Sequence, residues 1–218
     1  MITNIANTEF PFNCAANFSE FKYNQLDIDI QGWGGNHPIF AELIRKKSPK
    51  MVCDVGVWKG QSTINMAKCL RDNGMQSLVF AVDTFLGSPQ MWYDNADWRK
   101  SLKLVHGYPT YYYTFLANVF NSGVENFVVP VPATTYSAYL MFAHSNIKFD
   151  LIHIDAEHEY SAVKHDIENY WNLLNDGGVM ICDDYSSNWG GVVKAVDEFV
   201  QKHQLKFEQH EYKAVIYK

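Results

Sequence analysis

Three observations predict an α/β fold, a mostly parallel β-sheet wrapped by helices. Short apolar runs alternate along the chain with segments of helical period. Several of these runs are apolar without interruption, as strands covered on both faces are. Finally, the runs close on acidic residues, at Asp83, at Asp155 and at the pair Asp183-Asp184. In a parallel sheet those ends share the carboxyl edge, where ligands bind.

The chain has 218 residues, 47% of them hydrophobic, which suits one domain with a full core. Its net charge of −6 and the lack of a Lys/Arg cluster argue against a nucleic-acid partner. The longest basic stretch, Arg45-Lys46-Lys47, falls at an expected helix end, where cations suit the dipole. Cys14, Cys53, Cys69 and Cys182 show no zinc-type spacing, and Cys53 and Cys182 read as buried thiols inside strands. No leader-like start or bilayer-length apolar stretch is present, so a cytoplasmic protein with no membrane partner is expected.

The elements follow in order. Asn36 before Pro38 signals a helix over 38–47, since proline fits a first turn. An apolar run at 51–55 is the first strand, and helical spacing resumes over 63–72 with Ser62 or Thr63 as its cap. Strands are expected at 78–83, 126–131 and 150–155, each followed by a helix after its loop: 113–121 precedes the second of these, 135–143 and 160–174 follow. Asn175-Asp176-Gly177-Gly178 ends the last of these helices through a left-handed glycine cap. A strand at 179–182 comes next, then a helix over 191–203 with a core-facing stripe of Val192, Ala195, Val196 and Phe199. Strands at 206–211 and 212–217 close the chain. Residues 1–35 are polar and aromatic without a period and read as an arm or cover over the domain at 36–218. Residues 84–109 are too long for an ordinary connection and rich in Trp, Tyr and Met, so they read as a functional insert.

Two motifs carry chemistry at the carboxyl edge. The turn Asp54-Val55-Gly56-Val57-Trp58-Lys59-Gly60-Gln61-Ser62-Thr63 joins a strand to a helix, with glycines that permit close backbone approach. It lacks the third glycine of the dinucleotide pattern. Asp83 ends the next strand, where a carboxylate can accept ribose hydroxyls. If the runs ending at Asp155 and Asp183-Asp184 are neighbours, three carboxylates meet, a costly arrangement that a divalent cation would relieve. His153, inside an apolar run, reads as a core histidine, and Lys59 as a solvent-exposed lysine. The aromatics Trp92, Tyr93, Trp98, Tyr108, Tyr111 and Tyr112 either line a lid or pack the insert onto a core or partner.

In order along the chain, 54–63, Asp83, 150–155 and 177–184 resemble the motifs of class I S-adenosylmethionine-dependent methyltransferases. The stretches Tyr113-Thr114-Phe115-Leu116-Ala117-Asn118, Ile154-Asp155-Ala156-Glu157-His158-Glu159-Tyr160 and Asp183-Asp184-Tyr185 resemble the macrocin- and novobiocin-type sugar O-methyltransferases. The resemblance covers the chain from about Pro38 onward. It implies a Rossmann-like, seven-stranded, mostly parallel sheet of order 3-2-1-4-5-7-6 with helices on both faces.

The same resemblance implies that S-adenosylmethionine lies along Asp54, Gly56, Gly60, Ser62, Thr63, Asp83, Thr134, Thr135 and Asp155. Asp155, Asp183 and Asp184 would hold Mg²⁺ or a similar cation. Methyl transfer needs a base for the acceptor's hydroxyl, and two residues qualify. His158 stands where catechol-type enzymes carry a lysine, and Glu157 where the sugar enzymes carry an acid; His158 is preferred. The expected acceptor is a small molecule with a hydroxyl on a sugar or aromatic ring, and a homodimer through the aromatic arm is expected. A nicotinamide-dependent oxidoreductase and a non-catalytic protein of the same fold are the alternatives.

Overall fold

The structure, a computed structural model, describes residues 28–93 and 96–218. Most of the expected arm, Cys14 included, and Asp94 and Asn95 of the insert lie outside the described residues. The strands are β1 (Met51–Val55), β2 (Leu78–Asp83), β3 (Val128–Pro132), β4 (Phe149–Ile154), β5 (Leu174–Cys182), β6 (Phe207–His210) and β7 (Lys213–Tyr217). They form one sheet of order β3-β2-β1-β4-β5-β7-β6. The pairs among β1 to β5 are parallel, while β7 runs antiparallel to both β5 and β6. Sheet order and fold class are as expected.

The helices are α1 (Pro38–Lys47), α2 (Gln61–Asp72), α3 (Pro89–Tyr93), α4 (Ala96–Ser101), α5 (Tyr111–Asn121), α6 (Thr135–His144), α7 (Tyr160–Leu173) and α8 (Gly190–His203). Because side chains alternate across a strand, β1 sends Val52 to one apolar layer and Cys53 and Val55 to the other. Phe40 and Leu43 of α1, Met66 and Leu70 of α2 and Phe115 of α5 fill the first layer. Phe142 of α6, Ile167 and Tyr170 of α7 and Val196 of α8 fill the second. No described helix is long and apolar enough to cross a membrane.

Several local expectations change. His37, one residue after Asn36, caps α1, its Nδ1 accepting from the Ile39 amide at 3.1 Å. Gly60 caps α2 in the left-handed region (φ 93), where an added Cβ would meet the Phe115 ring at 2.9 Å. Ser62 and Thr63 are buried inside that helix and cap nothing. The glycine cap expected after α7 is also replaced: Leu174 is extended and passes directly into β5, with Gly177 (φ 78) inside the irregular start of that strand. The insert is only partly irregular, since α3 and α4 lie within it.

The basic stretch ends α1 as expected. Lys47 Nζ donates to the Gly177 carbonyl at 3.0 Å.

Candidate active site

The carboxyl edges of β1, β2, β3, β4 and β5 open into a cavity of about 510 Å³. Gly56, Asp83, Thr134, Thr135, Asp155, Glu157, His158 and Asp184 all line it. Residues 128 positions apart in sequence thus meet because parallel strands bring every β-to-α loop to one edge.

Gly56 (φ 86) lets the loops after β1 and β4 touch. A Cβ there would sit 2.1 Å from the Asp155 carbonyl oxygen and 2.5 Å from Ala156 Cα. Trp58 follows in the left-handed region (φ 50), a strained setting for a bulky residue. Its amide and that of Val57 donate to Asp83 Oδ2 at 2.9 and 3.1 Å. Asp83 Oδ1 accepts from the Phe85 amide at 2.7 Å and from the Tyr111 hydroxyl at 3.1 Å. Burial nevertheless raises the Asp83 carboxyl above its usual range. Thr134 caps α6 by accepting from the Ser137 amide at 3.1 Å.

Behind this wall lies a layer of buried charges. Ser62 and Thr63 donate to Asp54 Oδ2 at 2.8 and 2.5 Å. His153, fully buried, bridges Asp54 Oδ1 at 2.7 Å and Asp183 Oδ2 at 3.2 Å. Burial alone would lower the His153 imidazole, but the two carboxylates outweigh it and hold its pKa at about 9. Lys213 of β7, fully buried, donates its ammonium to Asp183 Oδ2. The Asp184 amide donates to Asp183 Oδ1 at 2.9 Å. Burial would raise the Asp183 carboxyl, yet His153 and Lys213 bring it down to about 2.

The sequence-predicted set therefore divides. Asp54, Gly60, Ser62, Thr63 and Asp183 stand behind the wall, where Ser62 and Thr63 bond Asp54 and Asp183 bonds His153 and Lys213. Lys213 and His153 neutralise Asp183, and ligand atoms of Asp183, His153 and Asp155 also lie within 4.8 Å of one another. The reading of His153 as a satisfied core histidine holds.

On the cavity side Asp155 and Glu157 are carboxylates shifted without such an ion pair among the described residues. Burial, and then the neighbouring Asp183, push the Asp155 carboxyl well above its usual range. Burial also raises Glu157, with His158 opposing it. Asp184, in the left-handed region that aspartate tolerates (φ 56), meets His158 Nε2 at 2.8 Å through Oδ2. The His158 ring lies 4.0 Å from that of Trp189, at 30°. Ligand atoms of Asp155, His158 and Asp184 all lie within 4.8 Å of one another.

Lys59 is 2% exposed, against the solvent-exposed reading. Its ammonium reaches Asp29 Oδ2 at 2.7 Å and Gln31 Oε1 at 3.0 Å, in the segment before α1. Asn118 completes this strap: its Nδ2 donates to the Asp29 and Lys59 carbonyls, and its Oδ1 accepts from the Asp29 amide. Beside the strap, the Trp33 and Trp98 rings stack at 5.2 Å and 9° on the cavity wall, joining the segment before α1 to the insert. The insert's aromatics divide between both readings. Tyr111 and Trp98 line the cavity, Tyr112 packs on Phe85 at 4.7 Å, and Tyr93 and Tyr108 are exposed.

Sequence reasoning missed Lys213, Trp33 and Trp189. Only Lys213 left a signal, as a lysine opening the apolar run Ala214-Val215-Ile216.

No curated protein matches the chain. Among solved structures, the O-methyltransferase NovP is 20% identical, with 83% of this chain and 76% of that one covered at a TM-score of 0.60. An O-methyltransferase from Bacillus cereus in complex with SAH is 15% identical, covering 94% and 86% at 0.60. CalS11, a TDP-rhamnose 3'-O-methyltransferase of calicheamicin biosynthesis, is 17% identical, covering 82% and 77% at 0.57. The model of a methyltransferase domain family matches residues 53–185, more than half of the chain and all of the edge that builds the cavity. The chain belongs to that methyltransferase domain family, with the fold of these O-methyltransferases.

Proposed function

We propose that the chain transfers a methyl group from S-adenosylmethionine to a hydroxyl oxygen of a small molecule, with His158 as the proton acceptor. The observation that carries this is the His158–Asp184 pair on the wall of the cavity that Gly56 and Asp83 also line. The sulfonium supplies an electrophilic carbon and a neutral leaving group when the cofactor is bound. Asp83, which accepts from the Val57 and Trp58 amides, would hold the ribose hydroxyls. Thr134 and Thr135 would border the adenine, and the glycine turn would border the methionine end. Once bound, the cofactor would supply the methyl carbon to the acceptor oxygen, with the electron pair of the broken carbon–sulfur bond going to sulfur. His158 takes the hydroxyl proton, and Asp184 holds the ring in place and stabilises its cationic form. The segment from Ile28 and the insert act as the cover of this opening.

One observation favours a second reading with a divalent cation. The donors of Asp155, His158 and Asp184 are close enough to share one ion, and its charge would relieve the buried Asp155 carboxyl. Those three residues would hold it, with Asp183 turned to Lys213 behind them. The ion would fix the acceptor's oxygen and make its hydroxyl more acidic. Glu157 is then the free carboxylate on the wall that receives the proton. A nitrogen donor suits Mn²⁺ or Fe²⁺ better than Mg²⁺.

Calorimetry with S-adenosylhomocysteine tests the cofactor, and the expected result is stoichiometric binding that Asp83→Ala abolishes. Saturable binding of NAD⁺ in its place overturns the proposal. Methyl transfer that survives EDTA supports His158 as the base. Loss on EDTA with recovery on Mn²⁺ or Mg²⁺ supports the second reading.

A further inference from the structure

The corner of the cavity where α6 begins is held from behind by α7. Thr134 and Thr135 both line the opening there, and their hydroxyls differ in what they have left to offer. Thr134 Oγ1 accepts from the Ser137 amide at 3.1 Å and donates to Ser137 Oγ at 2.9 Å, so its proton is spent within its own helix turn. The Thr135 hydroxyl instead donates to the side chain of Asp166, which is 4% exposed and stands behind the wall. One turn further along α7, the Tyr170 hydroxyl donates to the Thr135 carbonyl at 2.9 Å. Residues four apart share a helix face, so α7 grips Thr135 by backbone and side chain together. A carboxylate only accepts, whereas a hydroxyl has one proton and two acceptor positions. With its proton on Asp166, Thr135 is left with an oxygen that accepts.

We propose that Asp166 is a positioning residue for base recognition: by holding the Thr135 proton, it makes this corner of the cavity select adenine over hypoxanthine. The inference rests on the methyl-transfer reading, in which Thr135 borders the adenine. The exocyclic amino group of adenine would donate to the Thr135 oxygen. The exocyclic oxygen of hypoxanthine would set one acceptor against another while Asp166 keeps the only hydroxyl proton. A site built around such a bond rejects the analogue that cannot make it, because a buried polar group is left unpaired. That penalty corresponds to roughly 10–100-fold in affinity. Burial raises the Asp166 carboxyl and the Thr135 bond opposes the rise, so the bond favours the charged form that accepts the proton.

Calorimetric titration of the full chain tests this with three probes. They are S-adenosylhomocysteine, S-inosylhomocysteine and the purine counterpart that carries no exocyclic group. The last two should bind roughly 10–100-fold more weakly than the first. Thr135→Val should close most of both gaps, and Thr135→Ser, which keeps the hydroxyl, should preserve them. Asp166→Leu frees the hydroxyl proton to turn to the inosyl oxygen, so it should narrow the inosyl gap and leave the purine gap in place. A merely structural Asp166 would weaken all three probes together and leave their ratios alone. Unchanged ratios in Asp166→Leu therefore overturn the proposal, as does equal binding of the three probes by the parent chain. In that second case the binding of S-adenosylhomocysteine leaves the methyltransferase reading standing. Binding of NAD⁺ with none of the three probes would sink that reading and this inference with it.

Discussion

Two clusters of charge sit a few ångströms apart at the carboxyl edge of one sheet, and they are built on opposite plans. The inner one, Asp54–His153–Asp183–Lys213 with Ser62 and Thr63, is closed: every carboxylate faces a donor inside the protein. The outer one, Asp155, Glu157, His158 and Asp184, faces the cavity and holds a single internal pair. Buried charges that are fully paired hold a fold in register, whereas carboxylates left against an opening await a proton, a cation or a ligand. The adjacent aspartates Asp183 and Asp184 illustrate this most directly. One belongs to each plan, and the left-handed turn at Asp184 separates them.

The sharpest way to break the contrast is at the two groups that define it. His158→Ala should lower turnover by about 10²–10⁴-fold while leaving the melting temperature near that of the parent. Initial rates and thermal unfolding on the same sample check this, and unchanged turnover would move the base to Glu157. Lys213→Ala should do the reverse in kind, costing about 3–5 kcal/mol of stability because it strands the Asp183 carboxylate in the interior. Lys213→Met together with Asp183→Leu should recover much of that loss in urea unfolding. A single-site loss below 1 kcal/mol would mean that the inner cluster does not hold the sheet edge.

A smaller effect sharpens the comparison from outside both clusters. Asp166 of α7 is 4% exposed, and burial, only partly offset by its bond from Thr135, raises its carboxyl to about 6. The unfolded value is near 3.9, so folding favours the protonated form. Its penalty is absent below pH 4, grows between pH 4 and 6, and is fully present above. Asp166→Asn should therefore stabilise the protein at pH 7 by up to about 3 kcal/mol and have little effect at pH 4. An equal change at both pH values would show that the side chain's charge is not the cause.

The structure also separates what the sequence could carry from what it could not. Continuous apolar runs at β1, β2 and β4 and the stripe of α8 were legible because a strand or helix writes its burial into local periodicity. The cavity-lining residues Gly56, Asp83 and Asp155 were legible because they end or directly follow those runs, and His158 was legible only through the family resemblance. Helix starts were less so: Gly60 caps α2 while Ser62 and Thr63, the better cap types, turn inward to Asp54. Lys59 reads as a surface lysine and Lys213 draws no reading, since nothing within a few residues of either reveals the carboxylate that neutralises it.

Sequence alone determined the fold class, the edge at which the site lies and the carboxylates on its wall, because period and strand ends are local properties. Tertiary structure decided which carboxylates stay free. The antiparallel register that pairs Cys182 with Ala214 carries Lys213 to Asp183, and the Trp33–Trp98 stack joins segments 65 positions apart. Pairing across such distances depends on how the sheet closes and how loops fold over it, and no short window of sequence holds that information.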